Sequence, residues 1–325
     1  MTTIALLTGG VAGVGMGYVL QRAQLCFHAT FSGALARRFL LARGWLLGVA
    51  ISSVGLSVLF LTPLGDGLNR GLPFAPVADV VGGVVIGVGM TVAATCVSGL
   101  FFKLGSGMLG CLAGLGGWAA GELAARQVVL PGPTVLPVGA GATFPALLGV
   151  PRLAFAVVFL AVVGVVLWRW RAAERPRPGQ WDWPVTGVAL GAVTIAGWVL
   201  AGVGGAGFGP STVGAVAGFA AGEPNWWLTA FLLGIVVGAA VAARVSGEFH
   251  VRGERPVRYV RLVAGGFLLG AGGWVAGGCN LGHGLSGVAQ LNVASWVVVA
   301  AIVAGIALAR AVNRAAAAGP PGAAR

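Results

Sequence analysis

The chain alternates between long apolar runs and short polar stretches, and this pattern predicts helices that cross a membrane. A transmembrane helix needs about 20 mostly apolar residues. Nine runs approach that length, roughly at 3–20, 40–61, 77–94, 108–126, 150–168, 184–202, 226–244, 259–276 and 292–311. The sequence therefore predicts an all-α polytopic membrane protein with about nine transmembrane helices.

Four shorter apolar segments, rich in glycine, lie between these runs at 25–36, 96–106, 208–220 and 279–290. Each segment is too short to cross a bilayer. Irregular backbone at membrane depth is tolerated only where protein covers it or where it lines a cavity. We therefore interpret the four segments as re-entrant helical hairpins that enter the membrane and return to the same side.

An internal repeat accompanies these segments. The pattern G-G-x3-G-x-G-x6-C-x2-G occurs twice, with every position shifted by 183 residues: at Gly82, Gly83, Gly87, Gly89, Cys96 and Gly99, and at Gly265, Gly266, Gly270, Gly272, Cys279 and Gly282. A partial third copy has Ser211 where the cysteine would be, and a looser fourth copy ends at Cys26. The chain is therefore predicted to consist of two similar halves, each with two such units.

Composition fixes the class of protein. The chain is 58% hydrophobic and only 9% charged, with a mean hydropathy of +0.94, which excludes a soluble domain. We expect one membrane domain over 1–325, with a first repeat half at 1–130, a connecting span and cytoplasmic linker at 150–184, a second repeat half at 184–312 and a disordered tail at 313–325. The net charge of +12 comes from arginines in short loops, so no nucleic-acid partner is expected.

The basic residues also predict the orientation. If the four short segments do not cross, seventeen of the 20 basic residues fall on one face of the membrane. The positive-inside rule makes that face cytoplasmic, with the amino terminus outside and the carboxyl terminus inside. The two halves begin five spans apart, an odd number, so they are predicted to have opposite orientations. Inverted repeats with broken helices at mid-membrane are a transporter architecture.

The repeat positions supply the candidate chemistry. Cys26, Cys96 and Cys279 each lie where a repeat unit breaks, whereas Cys111 lies within a span and is interpreted as packing. Buried cysteines often act as small hydrophobes, but a thiol is also a soft, polarisable group that suits contact with sulfur. No CxxC pair or Cys/His metal spacing is present, so neither a metal site nor a cofactor is expected.

Several polar residues lie close to these cysteines. Lys103 is the single lysine of the chain, and it either provides a counter-charge for an anion or extends to the cytoplasmic edge. His28 and His283 could bind a solute or cap a helix, and Asn280 resembles a hairpin cap. Asp79 and Glu122 are interpreted as interfacial, because both lie near the outer ends of spans.

Three segments carry a resemblance to a known family. GYVLQRAQLC (17–26), AATCVSGLFFKLGSG (93–107) and AGGCNLGHGLSG (276–287) resemble the signature segments of the YeeE/YedE family, over essentially the whole chain. Its members are bacterial inner-membrane proteins associated with uptake of thiosulfate and related sulfur or selenium species. The resemblance implies an hourglass-like molecule in which thiosulfate passes a line of cysteines through S–H···S hydrogen bonds. It also implies a small TusA-like sulfur-carrier protein as a possible cytoplasmic partner.

These observations predict a transporter or channel, not an enzyme, that takes up thiosulfate or a related sulfur oxyanion across the inner membrane. The residues expected along the path are Cys26, Cys96, Cys279, Lys103, His283, Arg22, Ser211 and Asn280. Two alternatives stay open. One is a channel or transporter for another small solute, including other sulfur or selenium species, and the other is a membrane sulfur-transfer protein that forms a persulfide on one cysteine.

Overall fold

The computed structural model describes residues 2–68, 71–170 and 174–318, and these form helices and loops with no β-strand among them. Thirteen α-helices follow in order: α1 (Thr2–Ala23), α2 (Phe27–Leu35), α3 (Leu40–Leu59), α4 (Pro76–Ala93), α5 (Val97–Gly105), α6 (Gly110–Ala125), α7 (Phe144–Leu147), α8 (Arg152–Arg169), α9 (Trp183–Val203), α10 (Ala215–Ala220), α11 (Trp226–Val245), α12 (Pro256–Val275) and α13 (Val293–Ala318). A π-helical turn covers Gly282–Gly287, and short 3-10 turns cover Pro63–Gly65 and Ala140–Ala142.

Every predicted span coincides with one of the nine longest helices, because each long apolar run forms a helix that satisfies its own backbone hydrogen bonds. Within the described residues, seven of the helical segments are long and apolar enough to cross a membrane. Two helices at predicted spans are not among these seven. Helix α6 has only 16 residues, and α12 carries Arg258, Tyr259 and Arg261 in its first two turns. The chain is thus an all-helical, multi-pass membrane protein.

Each of the four glycine-rich segments contains one short helical piece, which follows the point where the preceding long helix ends. They contain α2, α5, α10 and the π-helical turn Gly282–Gly287. Before α10, residues 206–213 form no regular helix. None of these pieces is longer than 9 residues.

The long helices of one half of the chain pack mainly against long helices of the other half, an arrangement that we call exchanged packing. Helix α1 packs against α11, and α3 packs against α9; likewise α6 packs against α12, and α13 packs against α4. Two further pairs, α1 with α9 and α4 with α12, join the halves. If α1, α3, α4 and α6 are matched in order with α9, α11, α12 and α13, the first four contacts map onto one another in two pairs and the last two map onto themselves.

The repeat glycines lie where these helices cross. A Cβ on Gly82 would lie 2.6 Å from the Ala276 nitrogen, and a Cβ on Gly265 would lie 2.5 Å from the Ala93 nitrogen. These two contacts are the same contact made twice, with the partners exchanged and shifted by 183 residues. Small residues let membrane helices approach closely enough for backbone-to-backbone packing. The glycine pattern therefore marks helix crossings as well as the breaks that follow.

The loops separate into two ends of the molecule. At one end, which we call the arginine-rich end, hydrogen bonds join the segments 21–24, 37–40, 107–109, 174–183 and 244–252. At the other end, which we call the opposite end, hydrogen bonds join 72–74, 136–144 and 291–292. Segments that the charge pattern places on the same face of the membrane thus meet in the structure.

Two sequence expectations fall partly outside the described residues. The predicted tail begins at 313, but α13 continues as far as Ala318, and 319–325 lie outside the described residues. Arg171 in the predicted cytoplasmic linker and Arg70 in an outer loop also lie outside them.

Candidate functional site

The three repeat cysteines share one local backbone geometry. Cys26 and Cys96 have extended backbone and immediately precede α2 and α5. Two residues before each cysteine the chain turns through the left-handed region, with φ of 49° at Gln24, 47° at Ala94 and 68° at Gly277. Left-handed backbone is uncommon for residues other than glycine. These turns end the preceding long helix and aim each cysteine at the middle of the bundle.

The thiols of Cys26 and Cys96 form a close pair. Their Sγ atoms lie 3.4 Å apart, within hydrogen-bond reach, and either thiol can donate. Cys96 Sγ also lies 3.4 Å from the hydroxyl of Ser98 and accepts a hydrogen bond of 3.3 Å from the Gly99 N–H. A Cβ on Gly99 would lie 3.2 Å from both sulfur atoms, so glycine leaves room for the pair. The sequence placed both cysteines at breaks of the repeat, and the structure places their thiols in contact.

Lys103 contacts this pair through Thr95. Lys103 Nζ donates a hydrogen bond of 3.0 Å to Thr95 Oγ1, which lies 3.7 Å from Cys26 Sγ. The lysine is partly buried and lies on α5, two turns after the cysteine that begins that helix. Its ammonium group is therefore held next to the thiol pair.

Cys279 lies in the corresponding break of the second half. Its Sγ accepts hydrogen bonds from the N–H groups of Leu281 at 3.2 Å and Gly282 at 3.4 Å. Ser211 lies against the same turn, since a Cβ on Gly282 would lie 2.9 Å from Ser211 Oγ. Ser286, in the segment that follows Cys279, donates a hydrogen bond of 2.6 Å to the carbonyl of Pro210, the residue before Ser211. Cys279 and Ser211 thus form a second cluster.

Asn280 connects the two clusters. Its Oδ1 accepts a hydrogen bond of 3.4 Å from the Val97 N–H, and its Nδ2 donates one of 3.2 Å to Ser98 Oγ. Asn280 is fully buried. It therefore caps α5 in the other half of the chain, and not the turn to which it belongs.

The two histidines have different surroundings. His283 is buried, with Nε2 2.8 Å from the Ala276 carbonyl oxygen and Nδ1 3.0 Å from Ser295 Oγ. Both ring nitrogens have protein partners, which favours the helix-capping alternative for this residue. His28 is partly buried and lines a cavity at the arginine-rich end. Arg22 lies outside the cysteine clusters, with its guanidinium 5.7 Å from the centre of the Trp181 ring.

Two cavities approach the cysteines from opposite ends. A cavity of about 210 Å³ opens toward the opposite end, and Ser211, Gly278, Gly282, Asn225 and Trp227 are among its lining residues. A cavity of about 400 Å³ lies at the arginine-rich end, and Gln24, His28, Arg38, Arg175 and Arg177 are among its lining residues. Between them the repeat cysteines are at most 4% exposed. The structure is therefore closed at the level of the thiols.

Glu122 is a polar residue whose partners the sequence did not indicate. It lies near the end of α6, where the sequence placed the end of a span, and its side chain is fully buried by protein. Its Oε1 accepts hydrogen bonds of 3.0 Å from the N–H groups of Gly214 and Ala217, at the start of α10. The packing of α6 against the second half causes this burial, and no local pattern around Glu122 indicates it. Asp79 is also buried, and its carboxylate accepts a hydrogen bond of 3.0 Å from the Ala75 N–H.

The functional groups of the two clusters are suited to hydrogen bonding and to binding an anion. Among the described residues, no group of three or more His, Cys, Asp or Glu side chains is arranged to hold a metal ion. The thiols can exchange hydrogen bonds with a polarisable solute, and the backbone N–H groups and Lys103 suit an anion. The arrangement can offer hydrogen bonds and a positive charge to a small anion.

The sequence was then compared with known proteins. A model of the sulphur transport family matches residues 22–308. The chain is 31% identical over 325 residues to the thiosulfate transporter TsuA of Spirochaeta thermophila, which covers 89% of this chain and 93% of that protein. It is 24% identical over 327 residues to the TsuA of Escherichia coli K12, covering 93% of this chain and 92% of the relative. A probable transporter of the same bacterium, YedE, is 28% identical over 98 residues, covering 30% of this chain and 23% of that protein.

The family match spans both cysteine clusters, the lysine and both cavities, so it concerns the whole candidate passage. It confirms the family resemblance of the three signature segments. This chain is a member of the sulphur transport family.

Proposed function

We propose that the protein takes up thiosulfate across the inner membrane of a bacterium through the buried cysteine clusters. The observation that carries this proposal is the Cys26–Cys96 thiol pair, 3.4 Å apart, buried between two cavities that open to opposite ends. The similarity to two proteins named as thiosulfate transporters, over nearly the whole length of each, supports the same substrate here.

The proposed path begins in the smaller cavity. Thiosulfate enters beside Ser211 and Gly282 and reaches the thiol of Cys279. It then passes to Cys96 and Cys26 and leaves through the larger cavity, near His28. At each cysteine the thiol donates a hydrogen bond to the terminal sulfur of thiosulfate, and no covalent bond forms. Asn280 holds the two clusters at a fixed separation, and Lys103 offsets the charge of the dianion.

The proposed topology has nine spans, four re-entrant segments and an inverted repeat. The exchanged helix packing supports the repeat, because each of the six contacts between the long helices of the two halves maps onto itself or onto a counterpart. The separation of the loops into two ends supports nine crossings, with α6 and α12 included. The arginine-rich end then faces the cytoplasm and the amino terminus lies outside.

A cytoplasmic sulfur carrier of the TusA type is proposed to receive the thiosulfate or act on it. Its docking surface would be the arginine-rich end, where Arg38, Arg175 and Arg177 line the larger cavity. The protein itself acts as a transporter in this proposal, because its thiols are used as hydrogen-bonding groups and undergo no net reaction.

Growth of a bacterium that lacks its own thiosulfate importers tests the substrate. The wild-type gene and a Cys279→Ala variant are expressed at matched levels with thiosulfate as the sole sulfur source. We expect growth with the wild type, none with Cys279→Ala, and normal growth with the matched control Cys111→Ala, since Cys111 lies on α6 outside the repeat breaks and its thiol has no hydrogen bond to either cluster among the described residues. Absence of growth with the wild type, at normal expression, would contradict thiosulfate uptake.

A further inference from the structure

Glu122 is a buried carboxylate that the proposed path does not use. One oxygen, Oε1, holds the N–H groups of Gly214 and Ala217, while the other, Oε2, is buried with no hydrogen-bond partner among the described residues. An ionised carboxylate oxygen without a partner is costly at membrane depth, and such residues often mark proton pathways.

The surroundings of Glu122 supply no compensating charge. It lies on α6, which packs against α5, α10 and α12. The charged and titratable groups on these elements are Cys111 and Arg126 at α6, Lys103 and Cys96 at α5, and Arg258, Tyr259 and Arg261 on α12, while 208–220 carries none. None of them is hydrogen-bonded to Glu122, and the basic residues of α12 lie in its first two turns, away from its contact with Glu122 at Gly270.

The backbone that Glu122 holds belongs to the wall of the smaller cavity. Ser211 and Val213 line that cavity, and Gly214 follows directly. The same segment is tied to the Cys279 turn by the hydrogen bond from Ser286 to the Pro210 carbonyl. A change in the strength of the hydrogen bonds from Gly214 and Ala217 to Glu122 would therefore change the position of the cavity wall beside Cys279.

We propose that Glu122 is a proton-binding site that controls the opening of this cavity. The proton comes from water on the opposite end, binds at Oε2 and returns there or continues inward with the anion. Hydrogen bonds to an ionised carboxylate are roughly twice as strong as those to a neutral group. Protonation therefore loosens segment 214–217 and favours opening of the cavity toward Cys279. This proposal rests on the proposed transport function for its consequence, but not for proton binding itself.

The test uses the purified full-length protein and measures protonation directly. Infrared difference spectra between acidic and alkaline buffer report the carbonyl stretch of a protonated carboxylic acid, and no thiosulfate is needed. The variant Glu122→Gln keeps the size and the Oε1 acceptor but cannot titrate. Asp79→Asn is the matched control, because Asp79 is also a buried carboxylate that accepts a backbone hydrogen bond near a helix start. A melting measurement of each variant verifies that it is folded.

We expect the carboxylic-acid band of the wild type to lose one titrating component in Glu122→Gln and a different one in Asp79→Asn, so that the Glu122 component persists in the control. In vesicles, thiosulfate uptake should rise as the external pH falls in the wild type and should be independent of pH in Glu122→Gln. An unchanged band in folded Glu122→Gln, or no such band in the wild type, would overturn the proton site whatever the substrate. If the band behaves as expected but the wild type takes up no thiosulfate, the proton site stands and the transport proposal fails.

Discussion

The side-chain amide of Asn280 donates a hydrogen bond of 3.2 Å to the hydroxyl of Ser98, 182 residues earlier in the chain. The same side chain accepts from the Val97 N–H, so one buried residue of the second half caps a helix of the first. This contact joins the cluster around Cys279 to the cluster around Cys26 and Cys96. The distance between the clusters is thereby fixed by a specific polar contact as well as by helix packing.

Replacing Asn280 by leucine should destabilise the protein and reduce transport. The Val97 N–H and the Ser98 hydroxyl would lose a buried partner, which costs about 1–3 kcal/mol. The measurement is the melting temperature in detergent together with thiosulfate uptake. Asn313→Leu is a suitable control, because Asn313 is exposed on α13 and lines neither cavity. If Asn280→Leu melted and transported like the wild type, the link between the clusters would have no mechanical role.

Close helix packing at the repeat glycines gives a second prediction. A Cβ on Gly270 would meet the Trp118 carbonyl oxygen on α6, so Gly270→Ala must push α12 away from α6. We expect a loss of about 1–3 kcal/mol in stability. Gly116 on α6 has no atom within 4 Å of its Cβ position, so Gly116→Ala should be neutral or gain up to about 1 kcal/mol. Equal melting temperatures for the two variants would contradict the crossing.

The role of glycine shows what the sequence could and could not predict. Hydrophobic run length located all nine long helices, because a helix at membrane depth is fixed by local composition. The repeat pattern located the breaks before Cys96 and Cys279, but it did not indicate that the thiols of Cys26 and Cys96 would be in contact. It did not reveal that Gly82 and Gly265 serve a crossing of α4 with α12, because that requirement comes from the partner helix.

Polar contacts between the halves could not be predicted from the sequence either, because they also depend on the partner helix. Asn280 was expected to cap a hairpin and Glu122 to lie near the end of a span, but the sequence did not indicate the partners of either side chain. Both depend on which helix of the other half packs against them. The role of Lys103 also stays a prediction, although its contact with Thr95 places it beside the thiol pair.

Removing the charge of Lys103 should slow transport while leaving the fold intact. Unit charges about 6 Å apart attract by about 3 kcal/mol at an effective dielectric constant of about 20. Each ~1.4 kcal/mol changes a rate tenfold, so Lys103→Gln should lower uptake by up to about a hundredfold. Lys103→Arg keeps the charge and should retain more activity, and Thr95→Val removes the hydrogen-bond acceptor without changing charge. Normal uptake by Lys103→Gln would show that transport does not need the charge of this lysine.

The central claim is that thiosulfate passes the thiols of both clusters. The most direct measurement is uptake of radiolabelled thiosulfate into proteoliposomes that contain the wild type, Cys96→Ala, Cys279→Ala or the control Cys111→Ala. We predict uptake by the wild type and the control, and near loss of uptake by Cys96→Ala and Cys279→Ala, with all four proteins equally folded. Normal uptake by both Cys96→Ala and Cys279→Ala would contradict the cysteine relay.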